Sequence, residues 1–174
     1  MGAQPLKKSE IESICADLFN YAIDREDIKY LIALLPWEST IKRSKADYEL
    51  QILKIITVGW TLSYQLQDHP LKEILTERFW LAMQEFSHNL SETTSLMIGQ
   101  DINYFDTLKQ RLDKYVAAIS DHPEATEPAP VIGTAFARCC GDKNDLFVFM
   151  TGSKMFLSAT SRVKQYLETA MEKL

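Results

Sequence analysis

Chain-breaking residues are scarce in this sequence, and their scarcity restricts the folds open to it. Six glycines and six prolines make up 12 of the 174 residues, against an average share of about 12 per cent. Such a chain has little room for many short strands joined by turns, so long helices are favoured. Apolar residues account for 46% and charged residues for 25% of the chain, which is typical of a globular protein with a core.

The segment from about residue 44 to residue 67 predicts a long helix at the centre of the fold. Its apolar side chains cover more than half of the helix circumference. A helix with so narrow a polar face is surrounded by other helices. The polar positions form one stripe, made of Asp47, Gln51, Lys54, Thr61 and Gln65.

Apolar residues spaced by three and four predict further helices on both sides of the central one. The expected segments are 9–22, 24–35, 70–90, 102–120, 131–141 and 144–174. Ser9 and Glu12 match a capping box at the start of the first segment. Gly99 is expected to break the chain, and residues 91–94 are expected to form a short connecting turn or helix.

Two segments near the end of the chain are harder to assign. Residues 121–130 hold three prolines and three acidic residues and predict a loop. Leu146–Met150 has the composition of a buried strand, but no second strand is evident to pair with it, so a helix is preferred. Gly152 marks a kink or a close helix crossing. The prediction is an all-α single domain over residues 1–174, an irregular bundle of six or seven helices around the helix at 44–67.

Charge argues against nucleic-acid binding. The chain carries 19 basic and 24 acidic residues, a net charge of −5, and the charges are spread evenly along it. A nucleic-acid-binding protein usually presents a basic face. The small basic cluster of Lys42, Arg43 and Lys45 is interpreted as a solvated helix start.

Cysteine usage and hydropathy predict a cytoplasmic protein. Cys15, Cys139 and Cys140 fit neither a disulfide framework nor a zinc finger, so they are expected to be reduced thiols. Residues 1–8 lack the apolar core of a signal peptide. The most apolar stretch, residues 50–66, is interrupted by polar side chains, so no membrane span is expected.

One pattern raises the possibility of a metal site. Glu85 and His88 form Glu-x-x-His, which di-iron helical bundles use twice together with two further carboxylates. The pattern occurs once, and both side chains fall on the far side of their helix from its buried face. Phosphate-binding and catalytic motifs are also missing. The sequence therefore predicts no metal, no cofactor and no catalytic residues.

The far side of the helix at 70–90 is unusually apolar. Ile74, Leu81 and His88 recur every seven residues there, with Arg78 and Glu85 beside them. A surface helix normally carries charge on that side. Two interpretations stay open: the helix is sandwiched within the fold, or this side is a contact surface for another chain.

The leading functional hypothesis is a non-enzymatic helical interaction module, such as an adaptor, accessory or assembly factor, that binds an unknown protein partner or itself. Trp37 and Trp80 are expected to rim a groove on that contact surface. The alternative is a helical bundle that binds a small apolar ligand or cofactor, with an enzymatic role left open. The polar groups expected at such a site are Arg78, Glu85, Tyr64 and Tyr104.

Overall fold

A computed structural model describes residues 8–99 and 102–173, and within these residues the chain is all-α with seven helices and no strand. The helices are α1 (Lys8–Ile23), α2 (Glu26–Leu34), α3 (Arg43–Gln65), α4 (Lys72–Ile98), α5 (Tyr104–Ser120), α6 (Pro128–Cys140) and α7 (Leu146–Glu172). The expectation of no signal peptide rests on residues that lie mostly outside the described part of the chain. None of the described helices is long and apolar enough to cross a membrane.

The central position predicted for α3 is confirmed, because α3 packs against each of the other six helices. The polar stripe of α3 is itself largely buried: Gln51, Lys54 and Thr61 all lie in the interior. Two of them face the corner between α1 and α2, as Gln51 and Lys54 both donate hydrogen bonds to carbonyl oxygens there. The stripe therefore joins helices within the bundle.

Lys54 fixes the α1–α2 corner on α3. Its ammonium is fully buried and donates to the carbonyl oxygen of Asp24 at 2.8 Å. It also lies 3.4 Å from a carboxylate oxygen of Asp27 and 4.3 Å from the ring centre of Tyr21. Burial lowers the pKa of Lys54, and the negative charges of the Asp27 and Asp24 carboxylates oppose that shift. A buried charge is tolerated here because each side of the ammonium meets a polar or aromatic partner.

Glu49 anchors a second buried ion pair on α3. Arg111 of α5 binds its carboxylate with two hydrogen bonds, from Nε at 2.8 Å and from Nη2 at 2.7 Å. Lys45, one turn earlier on α3, donates a third at 2.9 Å. Burial alone would raise the pKa of Glu49, but the hydrogen bonds from Arg111 and Lys45 outweigh it and hold the pKa below its ordinary value. The bidentate contact between Arg111 and Glu49 fixes α5 against α3.

Helix α4 extends past the point expected from the sequence. The connecting turn or separate helix expected at 91–94 is instead part of α4, which continues to Ile98. Ser91 and Thr93 fit inside a helix because their hydroxyls donate to the carbonyl oxygens of Ser87 and Asn89, four residues earlier. Gly99 ends the helix in the left-handed conformation, with φ of 68°, which confirms the predicted break.

Helix α6 begins three residues earlier than predicted. The loop predicted over residues 121–130 ends earlier than expected, since α6 starts at Pro128. The first amides of a helix have no acceptor within it, so Pro128 and Pro130 remove no hydrogen bond there. Ala129 between them is buried, so this turn also contributes to the core.

Helices α6 and α7 cross at glycines. A Cβ atom on Gly152 of α7 would lie 2.5 Å from the ring of Phe136, and one on Gly133 of α6 would lie 2.8 Å from the carbonyl oxygen of Phe149. Neither distance leaves room for a side chain. The close crossing predicted at Gly152 is confirmed, and Leu146–Met150 lies within helix α7, so the strand alternative is wrong.

Polar side chains start several helices. Asn103 accepts the amide of Asp106 at the start of α5, and Asp145 accepts the amide of Val148 at the start of α7. Asp145 also accepts from Ser39 and so ties the α2–α3 loop to α7. Ser9 differs from its predicted capping position, because α1 already includes Lys8.

Candidate functional site

A pocket of about 540 Å³ lies between α3, the second half of α4, the start of α5 and the α1–α2 corner. We call it the Tyr104 pocket. Its volume falls within the usual range for small-molecule sites, about 300 to 1,000 Å³. The lining residues are Ile23, Arg25, Asp47, Tyr48, Gln51, Phe86, Leu90, Ser91, Thr94, Ile102 and Tyr104.

Most of the pocket wall is apolar. Phe86 and Leu90 lie four residues apart on α4 and so share one face of that helix. Tyr48 and Tyr104 close the opposite wall, with their rings edge to face and centres 6.1 Å apart. Aromatic pairs in this arrangement make rigid apolar surfaces. The wall suits a hydrocarbon or aromatic body.

One end of the pocket carries a hydrogen-bonded polar group. Arg25 donates to the side-chain oxygen of Gln51 at 3.1 Å and pairs closely with Asp47. The amide nitrogen of Gln51 donates to the carbonyl oxygen of Ala22 at 2.8 Å. Both ends of the Gln51 side chain therefore already have protein partners, and the network holds Arg25 in place.

Tyr104 lines the pocket and carries a buried polar atom with no partner among the described residues. The residue is 3% exposed, and its hydroxyl makes no hydrogen bond with the described residues. Burial, together with the nearby Tyr48 and Glu49, raises the pKa of Tyr104, while Arg25 acts in the opposite direction. The hydroxyl oxygen itself has no accessible surface, so it is enclosed within the fold and does not open into the pocket. Buried polar atoms without a partner are rare and call for an explanation.

Ser91 holds Tyr104 in position. Its hydroxyl accepts the backbone amide of Tyr104 at 2.9 Å and donates to the carbonyl oxygen of Ser87 at 2.7 Å. The start of α5 is thereby attached to α4 across the pocket. This contact exists because α4 continues through residue 91, beyond its predicted end.

A second concavity, of about 530 Å³, lies on the outer side of α4 beside the start of α5. We call it the outer groove. It brings together three residues of the predicted contact surface, Leu81, Glu85 and His88, all of them exposed. Asp106 and Lys109 of α5 form the facing side, so the groove carries charges of both signs. Its polar walls make it less suited than the Tyr104 pocket to an apolar molecule.

The sandwiched interpretation of α4 is wrong at Leu81 and His88. Leu81 is 55% exposed, and His88 projects outward to pair with Glu92 at 3.3 Å. No described helix covers this part of α4, since its neighbours α1, α3 and α5 pack on its other sides. Ile74 differs, because it is half-buried and packs against the core.

The other predicted contact residues do not join the outer groove. Arg78 lies 3.8 Å from Glu12 of α1. Trp37 is exposed, with Arg43 at the start of α3 against its ring. Trp80 packs against Gly59, where a Cβ would lie 2.4 Å from its ring.

The expected groove between the two tryptophans is therefore not formed. Their contact points on α3, Arg43 and Gly59, are 16 residues apart, which is about 24 Å along a helix. Trp60, which follows Gly59 on α3, is half-buried and lies edge to face with Phe156.

Of the four polar groups expected at a ligand site, only Tyr104 lines the Tyr104 pocket. Tyr64 is exposed beside a smaller depression with Trp60 and Phe156. Glu85 belongs to the outer groove, and Arg78 faces α1. These four groups do not form a common site.

The thiols and the Glu-x-x-His pattern do not form a reactive centre within the described residues. All three cysteines are free, and burial raises the pKa of Cys140 to about 12, which leaves little reactive thiolate. Cys140 is buried and Cys139 half-buried, as adjacent helical positions predict. No group of three or more His, Cys, Asp or Glu side chains in the described ranges is placed to hold a metal ion.

The basic cluster serves the fold. Arg43 donates to the carbonyl oxygens of Ile32 and Leu35, at 2.7 and 2.6 Å, and so satisfies the end of α2. Lys45 binds Glu49. Two of the three basic residues are thus occupied by neighbouring helices.

Sequence reasoning missed Arg25, Asp47 and Gln51 as pocket residues. A signal existed for two of them, because Asp47 and Gln51 lie one turn apart on the polar stripe of α3. The stripe marks polar positions and does not say which groups face them. No sequence pattern indicated Arg25, because it lies in the turn between α1 and α2 and comes to the pocket only when these helices pack on α3.

Comparisons with known proteins do not place this chain in a family. No model of a known protein family matches it. Characterised proteins and solved structures give no match either. A function must therefore be inferred from the chain's own pocket and surfaces.

Proposed function

We propose that the protein binds a small, largely apolar molecule in the Tyr104 pocket. The observation that carries this proposal is the pocket itself, about 540 Å³ of space with mostly apolar walls and with polar groups that already pair with one another. Small-molecule sites combine apolar walls with a few polar groups that orient the ligand.

The rest of the pocket supports the same proposal. Arg25, Asp47 and Gln51 form a fixed polar end, whereas Phe86, Leu90 and the tyrosine pair give rigid apolar walls. Ser91 holds the two sides of the pocket together. A site whose groups are already held in place loses little conformational freedom on binding.

A neutral fluorescent dye tests the proposal directly. N-phenyl-1-naphthylamine brightens on entering an apolar site, and we expect saturable binding at one equivalent. Thr94→Trp places a large side chain against the pocket and is expected to weaken binding by at least tenfold. Thr93→Trp is the matched control, because Thr93 is the next residue along α4, is exposed and lies outside the pocket lining. It should bind the dye as the wild type does.

Two outcomes would contradict ligand binding. One is the absence of saturable dye binding to the wild-type protein. The other is equal binding by Thr94→Trp and Thr93→Trp, which would place the dye elsewhere. Circular dichroism of both variants checks that the helices remain folded.

A second candidate function is protein contact through the outer groove, as in the leading hypothesis from the sequence. The observation that favours it is the exposure of Leu81 beside Glu85 and His88 on α4. The two signs of charge in the groove suit contact with a second copy of the chain. Sedimentation velocity should then show self-association that Leu81→Asp weakens. Leu157→Asp, an equally exposed leucine on α7, should leave it unchanged, and a monomeric wild-type protein would contradict self-contact.

A further inference from the structure

Large apolar side chains are exposed together where the end of α2 meets the start of α7. Their exposed fractions lie between 41% and 90%, and they are Leu34, Trp37, Leu146, Phe147 and Met150. We call these five residues the Trp37 face. Leu34 ends α2, Trp37 lies in the α2–α3 loop, and the other three fall within the first five residues of α7. Exposed apolar residues grouped in this way usually mark a contact surface.

Hydrogen bonds between the α2–α3 loop and the start of α7 hold this face together. The hydroxyl of Ser39 donates to the carboxylate of Asp145 at 2.7 Å, and the backbone amide of Thr40 donates to the same oxygen at 2.8 Å. Trp37 precedes Ser39 by two residues, and Leu146 directly follows Asp145. The exposed side chains are therefore carried on a fixed backbone, so a partner would not have to order the chain in order to bind it.

The exposed charges beside the Trp37 face are mainly positive. Three lysines and one acidic residue are exposed within 34–43 and 142–154, namely Lys42, Lys143, Lys154 and Glu38. The other acidic residues of these two segments, Asp142 and Asp145, are turned to the loop, where both accept hydrogen bonds from the Thr40 hydroxyl. The remaining basic residue, Arg43, is half-buried and binds the end of α2. Because the whole chain has a net charge of −5, this positive excess is local.

Charge and shape favour a lipid surface over a second copy of the chain. A two-fold contact through this face would bring the lysine-rich patch of one copy against the same patch of the other, and like charges oppose such a contact. Trp37 projects from a loop and is 90% exposed. A fluid lipid interface can surround a projecting ring, whereas a protein partner needs a pocket of matching shape.

We propose that the Trp37 face docks reversibly on an anionic lipid surface. Trp37 and the apolar residues at the start of α7 enter the interface, which is where tryptophan is enriched in membrane proteins. Lys42, Lys143 and Lys154 contact the negatively charged headgroups. Docking of this kind requires no membrane-spanning helix, and it is independent of the Tyr104 pocket.

Sedimentation with lipid vesicles tests the proposal. We expect binding to phosphatidylcholine vesicles that contain about 30% phosphatidylserine to be at least tenfold tighter than binding to phosphatidylcholine alone, and to weaken as salt is added. Leu146→Ser should weaken binding by about fivefold, because the apolar contact with the interface is lost. Leu81→Ser is the matched control, since Leu81 is similarly exposed, at 55% against 62% for Leu146, and lies on α4. It should bind as the wild type does.

Tryptophan fluorescence reports on the same contact. Emission should shift to shorter wavelength when anionic vesicles are added, because the ring of Trp37 leaves water. Trp37→Phe should lose this shift, since Trp60 and Trp80 are packed against other residues of the fold. Circular dichroism checks that each variant keeps its helices, which is expected because the substituted side chains are exposed.

Three outcomes would overturn lipid docking. The first is failure of the wild-type protein to sediment with anionic vesicles at millimolar lipid. The second is equal binding by Leu146→Ser and Leu81→Ser, or binding without a fluorescence shift, either of which would place the contact elsewhere. The third is self-association that Trp37→Ser abolishes in a protein that does not bind vesicles, which would assign the face to a second copy.

Discussion

Two arginine–carboxylate pairs have their carboxylates close together on α3, and the pairs differ in their exposure to water. Glu49 is fully buried, and its partner Arg111 is 14% exposed. Asp47, two residues earlier, is 33% exposed, and its partner Arg25 is 42% exposed. The first pair has two parallel hydrogen bonds and a third from Lys45, and it lies where water cannot replace them. The second pair borders an apolar pocket and keeps contact with solvent.

This difference in exposure indicates which pair stabilises the fold and which pair can contribute to a binding site. A buried pair is strongly destabilising when one partner is removed, because the other charge is left without water. A half-exposed pair contributes little to stability, because water can replace the lost partner. The Arg25–Asp47 pair can therefore shape a binding site at small cost to the fold, whereas the Glu49–Arg111 pair cannot be changed without loosening α5.

The largest effect is expected from breaking the buried pair. Arg111→Met should lower the free energy of unfolding by about 3 kcal/mol, because it leaves Glu49 with Lys45 as its remaining cationic partner. Urea unfolding followed by circular dichroism measures the loss. A decrease below about 1 kcal/mol would show that the pair is no more important than a surface ion pair.

The buried carboxylate should also make stability depend on pH. The pKa of Glu49 is lower in the folded chain than its ordinary value of 4.5. Glu49 therefore stabilises the fold above about pH 4.5, and this contribution is lost as the pH falls through its folded pKa. Glu49→Gln should be less stable at pH 7, and its stability should fall less between pH 5 and pH 3. Parallel pH profiles for the variant and the wild type would contradict this assignment.

A smaller effect is expected at the exposed pair. Arg25→Met should lower the free energy of unfolding by about 1 kcal/mol or less, because Asp47 remains accessible to water. The same urea experiment applies, with Arg111→Met as the comparison. Equal losses in the two variants would remove the distinction between the pairs.

The smallest effect on stability is expected at Tyr104. Tyr104→Phe removes a buried hydroxyl that has no partner, so no hydrogen bond is lost with it. The free energy of unfolding should stay the same or rise by up to about 1 kcal/mol in the ligand-free protein. A loss of more than about 1 kcal/mol would mean that the hydroxyl already has a partner within the fold.

Much of the fold could be predicted from local patterns. The apolar period of α3 and its narrow polar stripe indicate a central helix, and Gly99 and Asp145 mark helix ends through their own chemistry. The errors arose where local composition opposed the final structure. Ser91 and Thr93 resemble a turn, yet they extend α4 because their hydroxyls bond the preceding helical turn. Pro128 resembles a loop, yet it suits the first turn of α6.

The candidate site was less predictable, since it depends on contacts between distant segments. Leu81, Glu85 and His88 came together as expected, because one helix repeat places them on one face. Trp37 and Trp80 are on different elements, and no local rule fixes the distance between them. Tyr104 was named from its residue type, but its lack of a partner becomes visible only when α3, α4 and α5 are packed.

The close crossing of α6 and α7 at glycines means that the residue types allowed at positions 136 and 152 depend on each other. The space opposite Gly152 is filled by the ring of Phe136, so a side chain can enter at 152 only if the ring at 136 becomes smaller. Positions 136 and 152 should therefore change together in related sequences, with a small residue at one wherever a large residue occupies the other. Within this chain, Phe136→Leu should partly restore the stability that Gly152→Ala removes, as a compensating pair of substitutions would.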